Sequence, residues 1–289
     1  MDDLAYAKTF YPTSKVTQYI NALASRIYLS IYQNRKEESN RLVNFWKYDL
    51  PFTIARHRKI ILFSFFLFIL FYAVGFFSSK QDPAFIREVL SDNYVDTTER
   101  NIEEGNPFAI YQSGNSFFMW LGIMINNVMV SMLYFVKGIV LGIFSISALI
   151  KESIRFGAFH YMFSEKGYGF GFLLAVLLHG MLELTSIIIT CAAGVVMGTS
   201  YLFPGTIRRL DAFRNGVKDG VKIVVGLIPV FAIAAFFEGF VTRHYKMHIV
   251  FNIILLLFSA AFIIWYFIIY PLQLSRKQKQ MEVLEVEHA

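Results

Sequence analysis

Charge is scarce in this chain: Asp, Glu, Lys and Arg make up only 17% of its 289 residues, where a soluble domain carries about a quarter. So few ionised groups cannot cover the surface of a soluble globular protein of this size. Cysteine is nearly absent too. The single Cys191 lies in an apolar run, which excludes an intrachain disulfide and an all-cysteine metal cage and leaves the redox compartment unreadable. No basic patch with interleaved aromatics stands apart from the apolar runs, so the net charge of +6 does not point to nucleic acid. The chain before Ile60 is polar, so no cleavable signal peptide is visible.

What the chain has instead is hydrocarbon. Its residues are 56% hydrophobic, with 31 Phe and a mean hydropathy of +0.49. The fold class this implies is an all-α polytopic membrane bundle with a polar N-terminal region. Residues 1–59 read as a cytoplasmic or interfacial helical region. In it Val16, Ile20, Leu23, Ile27 and Ile31 recur at helical spacing, with Ser14 as the cap of a helix running to Gln33. A second amphipathic stretch carries Leu42, Phe45, Trp46 and Leu50 before Pro51. Either the two stretches pack on each other as a hairpin, or they lie on the membrane surface and receive a partner.

The bundle occupies residues 60–270, with spans expected near 60–77, 117–136, 138–150, 167–203, 223–237 and 249–270. Residues 271–289 form a cytoplasmic tail. Ile60–Phe77 makes a helix about 27 Å long, enough to cross a bilayer core. Residues 78–116 form an acidic extracytoplasmic loop, with one helix expected around Pro83–Leu90. The stretch Phe117–Ile150 is about 51 Å long as one helix, too long for a single span, and Lys137-Gly138 interrupts it. Read as a tight hairpin, it gives six spans, with 19 Lys and Arg on the inside and 8 outside. Read as one span, it gives five, with 15 inside and 11 outside. The positive-inside rule favours six, with both termini cytoplasmic. Gly138/Gly142 and Gly194/Gly198 have the small-xxx-small spacing of close helix contacts. The run 167–203 exceeds one span and is expected to break into a half-helix ahead of His179 and a full span from Leu184.

Within this hydrocarbon a few polar side chains stand out. A central Asp, Lys or Arg costs about 2.5–3.5 kcal/mol to insert, so intramembrane ionisable groups pair, face a cavity or carry function. His179 and Glu183 sit at i,i+4 on one helical face. Glu238 closes another apolar run, with Arg243 near enough in sequence to pair with it. Asn126 and Asn127 lie mid-span. These six residues form the candidate intramembrane polar site, either an interhelical clamp or a proton, ion or ligand site. His244 and His248 share a helical face and form, with Glu238, an alternative metal set. No cofactor is expected. Parts of known enzymes are missing: there is no His-Glu-x-x-His, no Gly-x-Ser-x-Gly elbow and no P-loop.

The run His179-Gly180-Met181-Leu182-Glu183-Leu184, followed by Ala192-Ala193-Gly194, Pro204-Gly205 and Arg208-Arg209, resembles the signature of the stage II sporulation protein M family. Ile233-Ala234-Ala235-Phe236-Phe237-Glu238-Gly239-Phe240-Val241-Thr242 resembles it too, and Asn126-Asn127 with Gly138–Gly142 fits the same pattern. Asp3-Leu4-Ala5, Tyr11-Pro12 and Tyr19–Leu23 are similar to the longer, non-sporulation branch. The resemblance implies two kinds of partner. Sporulation members act with peptidoglycan-degrading enzymes, and longer-branch genes lie near AAA-type ATPases of the MoxR kind. Two roles follow for a chain in the bacterial cytoplasmic membrane. One is a non-catalytic subunit that scaffolds or anchors a cell-envelope complex with a soluble partner. The other is a channel or permease component, in the manner of an ABC exporter. Either is compatible with a homodimer, which no sequence feature demands. Fully paired polar groups favour the scaffold; an aqueous site reaching His179 favours transport.

Overall fold

The computed structural model describes residues 40–104, 115–241 and 249–287, with scattered positions between Tyr6 and Asn21. The chain divides into two compact units, Met1–Lys47 and Tyr48–Ala289. In the first, Val16 N–H donates to the Ser14 hydroxyl at 3.2 Å and Gln18 N–H to the Ser14 carbonyl at 3.1 Å. Ser14 is therefore the cap that the sequence indicates. Residues 22–39 of the amphipathic stretches lie outside the described residues.

The second unit is built of helices α1 (Leu50–Arg56), α2 (Arg58–Gln81), α3 (Pro83–Leu90), α4 (Asp92–Glu103) and α5 (Ser116–Val136). There follow α6 (Ile143–Glu165), α7 (Gly169–Leu202), α8 (Arg209–Phe236), α9 (Ile249–Ile263) and α10 (Tyr270–Glu287). A π-turn, Phe237–Val241, ends α8, and a π-helical segment, Ile264–Ile269, joins α9 to α10. The protein is an all-α polytopic membrane protein. Among the described residues, five helices are long and apolar enough to cross a membrane: Arg58–Gln81, Ser116–Ile139, Val176–Leu202, Arg209–Phe240 and Val250–Gln278.

The α5–α6 connection is the tight hairpin that the Lys137-Gly138 interruption suggests. Gly142 takes φ +79°, a left-handed conformation that only a residue without Cβ adopts cheaply. The returning helix differs from its expected limits. It begins at Ile143, not at Gly138, and continues through Lys151, Glu152 and Arg155 to Glu165. Those charges keep α6 from qualifying as an apolar span, and they are partly satisfied within the protein. Glu152 accepts from the Tyr134 hydroxyl at 3.0 Å and from Arg155 at 3.2 Å. Ring pairs Phe68–Phe156, Tyr72–His160 and Phe76–Tyr161 advance in step, so α6 runs in the same direction as α2.

Helix α7 is the axis of the bundle. It is continuous over 34 residues, about 51 Å, so the expected break before Leu184 does not occur. Helical geometry tolerates Gly169 and Gly171 when neighbours fix the backbone, and Phe172 and Leu178 are fully enclosed. In the apolar window of α7, 83% of residues are buried, against 17–22% for α2, α5 and the α9–α10 span. The latter helices present lipid-facing side chains such as Phe66, Ile69, Leu257 and Phe258. The two small-xxx-small pairs dock on each other: a Cβ on Gly138 would strike the Gly194 backbone, and one on Gly198 would strike the backbone of Leu141 and Gly142.

Residues 78–116 hold more structure than a solvated loop with one helix. Helix α3 occupies the expected Pro83–Leu90, started by Pro83 and capped by Asp82, whose carboxylate accepts from Ala84 N–H at 2.9 Å. A second helix, α4, follows it. Ile86 and Val95 pack with Met162, Phe163, Phe172 and Val176, seating the pair on the ends of α6 and α7. Arg87 gathers Asp96 at 2.7 Å and Asp92 at 3.3 Å, and Lys166 reaches Glu99 at 3.1 Å. These acids are ion-pair partners on the surface. Burial against this core pushes the Tyr94 hydroxyl up to about 12.

Helix α1 lies antiparallel along the middle of α8. Leu50 presses on Gly226, and at the other end His57 Nε2 meets the buried Asp219 carboxylate at 2.8 Å, with Arg56 Nη1 at 3.1 Å. Beside this pair opens a cleft of about 730 Å³ lined by Arg56, Arg58, Lys59, Lys222 and Gln278.

Candidate intramembrane cation site

His179, Glu183 and Glu238 come together. One ligand atom from each, an imidazole nitrogen and two carboxylate oxygens, lies within 4.8 Å of the others. His179 is 3% exposed and the two glutamates are half-buried. The first two project from successive turns of α7, as their i,i+4 spacing requires.

Glu238 arrives from the π-turn at the end of α8. Pro229 removes one backbone donor from that helix, and the π-turn adds a residue to the winding, which re-aims the side chains that follow. The turn is held against α5. Trp120 Nε1 donates to the Ala232 carbonyl at 3.0 Å, and a Cβ on Gly239 would lie only 3.2 Å from the Trp120 backbone nitrogen. A larger residue at 239 would have to shift the turn relative to α5.

The cluster continues along the α5–α7 seam. These helices run parallel, because Ser131 Oγ donates to Thr190 Oγ1 at 2.9 Å and, one turn on, the Phe135 carbonyl lies 3.0 Å from where a Gly194 Cβ would be. One turn back from the Ser131–Thr190 contact, the same register brings Asn127 level with Ser186. Both are buried, and Asn127 Nδ2 and Ser186 Oγ have no hydrogen-bond partner among the described residues. One further turn back is Glu183. On α7 the polar residues His179, Glu183, Ser186 and Thr190 follow i, i+4, i+7 and i+11, a single stripe.

The structure separates the adjacent asparagines: Asn127 is buried in the seam, whereas Asn126 is exposed on the other face of α5. Arg243, His244 and His248 lie outside the described residues, and with them the Glu238–Arg243 pair and the alternative metal set. Sequence reasoning passed over Ser186, Thr190 and Ser131, although their spacing from His179 and Asn127 was there to be read. It also passed over Asp219, hidden among Arg214, Lys218 and Lys222 as one acid in a basic segment.

The elements that build the seam fall within residues 64–243, which match the stage II sporulation protein M family. The chain belongs to that family. Residues 1–33 match a separate family described only as a domain of unknown function. No curated protein and no solved structure matches the chain. The match to the stage II sporulation protein M family runs from within α2 to the π-turn, so all three clustered residues lie on the part of the fold the family shares.

Proposed function

We propose that the protein is a cation-handling subunit of the bacterial cytoplasmic membrane, a channel or permease component whose pathway follows the α5–α7–α8 seam. The observation that carries this reading is the pair Asn127 Nδ2 and Ser186 Oγ, buried without a partner among the described residues and continuing the line of His179, Glu183 and Glu238. A clamp pairs its groups with one another, since an unpaired buried donor costs about 1–3 kcal/mol. A polar seam with unclaimed donors is suited to water or an ion. Reconstituted in vesicles, the wild-type chain is expected to dissipate a proton or divalent-cation gradient, and Glu183→Gln to slow it at least about tenfold while leaving the fold intact. Wild-type vesicles no leakier than empty ones to either cation would overturn the reading.

In the same proposal the chain crosses the membrane six times with both termini cytoplasmic, α6 being the crossing in which Glu152 and Arg155 pair with each other. This places the basic cleft beside Asp219 in the cytoplasm. A cysteine placed at Asn215 should label only after the membrane is permeabilised, whereas one at Lys166 should label in intact cells; labelling of Asn215 from outside would reverse the assignment. The cleft, with four cationic side chains around its mouth, favours a role beside the first. It fits an acidic surface on a soluble partner, such as an AAA-type ATPase or the cytoplasmic part of a cell-wall hydrolase complex.

A further inference from the structure

The geometry points to a divalent transition-metal ion of the zinc class as the cation bound at His179, Glu183 and Glu238. This rests on the proposed function only in using the same site, and it is tested separately.

One imidazole and two carboxylates form a mixed nitrogen and oxygen set. Carboxylates alone suit magnesium, calcium and manganese, whereas adding imidazole shifts preference toward zinc and its first-row neighbours. Three protein ligands with a further position left for water is an established zinc arrangement. In a tetrahedral site with bonds of about 2.0–2.1 Å, ligand atoms stand roughly 3.4 Å apart. The observed 4.8 Å limit is therefore wider than a closed site by little more than an ångström. A rotamer change of either glutamate spans that difference, and both are long side chains.

Placement favours the same conclusion. His179 and Glu183 are fixed on the most enclosed helix of the bundle, so two ligands are preorganised. The third comes from a π-turn latched to α5 by Trp120, in a register that Gly239 permits. Two carboxylates this close repel when both are ionised, and their two negative charges match one divalent ion. Ser186, one helical turn from Glu183, and Asn127, level with it, are polar groups unclaimed among the described residues, on the stretch of seam where water beside the Glu183 carboxylate would sit. The seam thus supplies both the ligands and the polar shell around them.

The test is direct binding of Zn²⁺ to the purified full-length chain in mild detergent, by titration calorimetry and by metal content after gel filtration. About one Zn²⁺ per chain is expected. Glu183→Gln and Glu238→Gln should each weaken affinity by at least about 100-fold, Ser186→Ala by about tenfold, and Glu88→Gln, exposed and outside the cluster, not at all. Should the glutamine variants fail to fold, X-ray absorption on the wild-type protein decides: nitrogen and oxygen ligands near 2.0–2.1 Å with the outer-shell pattern of one imidazole are expected. No saturable Zn²⁺ binding by folded wild-type protein, a sulfur ligand, or equal affinity in Glu183→Gln and Glu88→Gln would overturn the inference. Proton flux that depends on Glu183 without Zn²⁺ binding would overturn the metal and keep the cation pathway. Zn²⁺ binding without flux would do the reverse.

Discussion

Gly198→Val should abolish the folded, monodisperse protein in mild detergent. A Cβ at 198 would enter the backbone of Leu141 and Gly142 and the Gly138 carbonyl, none of which moves as a side-chain tip does. Overpacking against flexible side chains costs about 1–3 kcal/mol; here the hairpin backbone must move, so a loss above about 3 kcal/mol is expected. The hairpin also has Gly142 in a left-handed conformation, so it has little freedom to accommodate the intrusion. Between helices in lipid there is no hydrophobic gain to offset the lost contact, because association there depends on close van der Waals packing. Gly171→Ala is the control. Nothing lies within 4 Å of a Cβ at that position, and alanine is favoured over glycine in a helix by about 0.5–1 kcal/mol. Thermal unfolding followed by size-exclusion recovery separates the two. A Gly198→Val protein that elutes and melts like wild type would show that the two small-residue pairs do not form a tight contact.

Phe172→Ala is expected to cost about 3–5 kcal/mol and to release α3 and α4 from the bundle. Phe172 is fully enclosed, with the Phe159, Phe163 and Phe156 rings centred 4.9, 5.0 and 6.0 Å away and the His160 ring stacked at 5.3 Å. Truncation to alanine removes the ring that all four neighbours pack on and leaves a cavity, so the cost joins lost contacts to unfilled volume. The ion pairs that join the same elements, Arg87 with Asp96 and Lys166 with Glu99, are exposed and contribute about 0–1 kcal/mol each. They cannot hold the two helices when the aromatic centre is gone. Hydrogen exchange across residues 83–103 should rise sharply in Phe172→Ala and by a smaller amount in Phe172→Leu. Unchanged protection in the alanine variant would mean that the acidic helices are held by something other than this cluster.

Several features needed no tertiary structure. Scarce charge and long Phe-rich runs fix an α-helical membrane bundle, because lipid offers backbone groups no partner outside a helix or a closed barrel. The His179–Glu183 spacing places both groups on one face of α7, since helical geometry alone dictates it. Gly138/Gly142 and Gly194/Gly198 announced close contacts, and the Lys137-Gly138 interruption announced the hairpin. Other features depended on contacts between segments far apart in sequence. The apolar run 167–203 looked too long for one helix, yet α7 is unbroken because neighbours enclose it on most sides. Lys151 looked like the end of a span, yet α6 continues because Tyr134 and Arg155 take up the charge of Glu152. Asn126 and Asn127 are equivalent by composition, and only the register of α5 on α7 buries one and exposes the other. Glu238 stands 55 residues after Glu183, and no periodicity links them. Their meeting follows from the antiparallel packing of α7 and α8, the π-turn, and the close approach to Trp120 that Gly239 allows, which are all tertiary contacts.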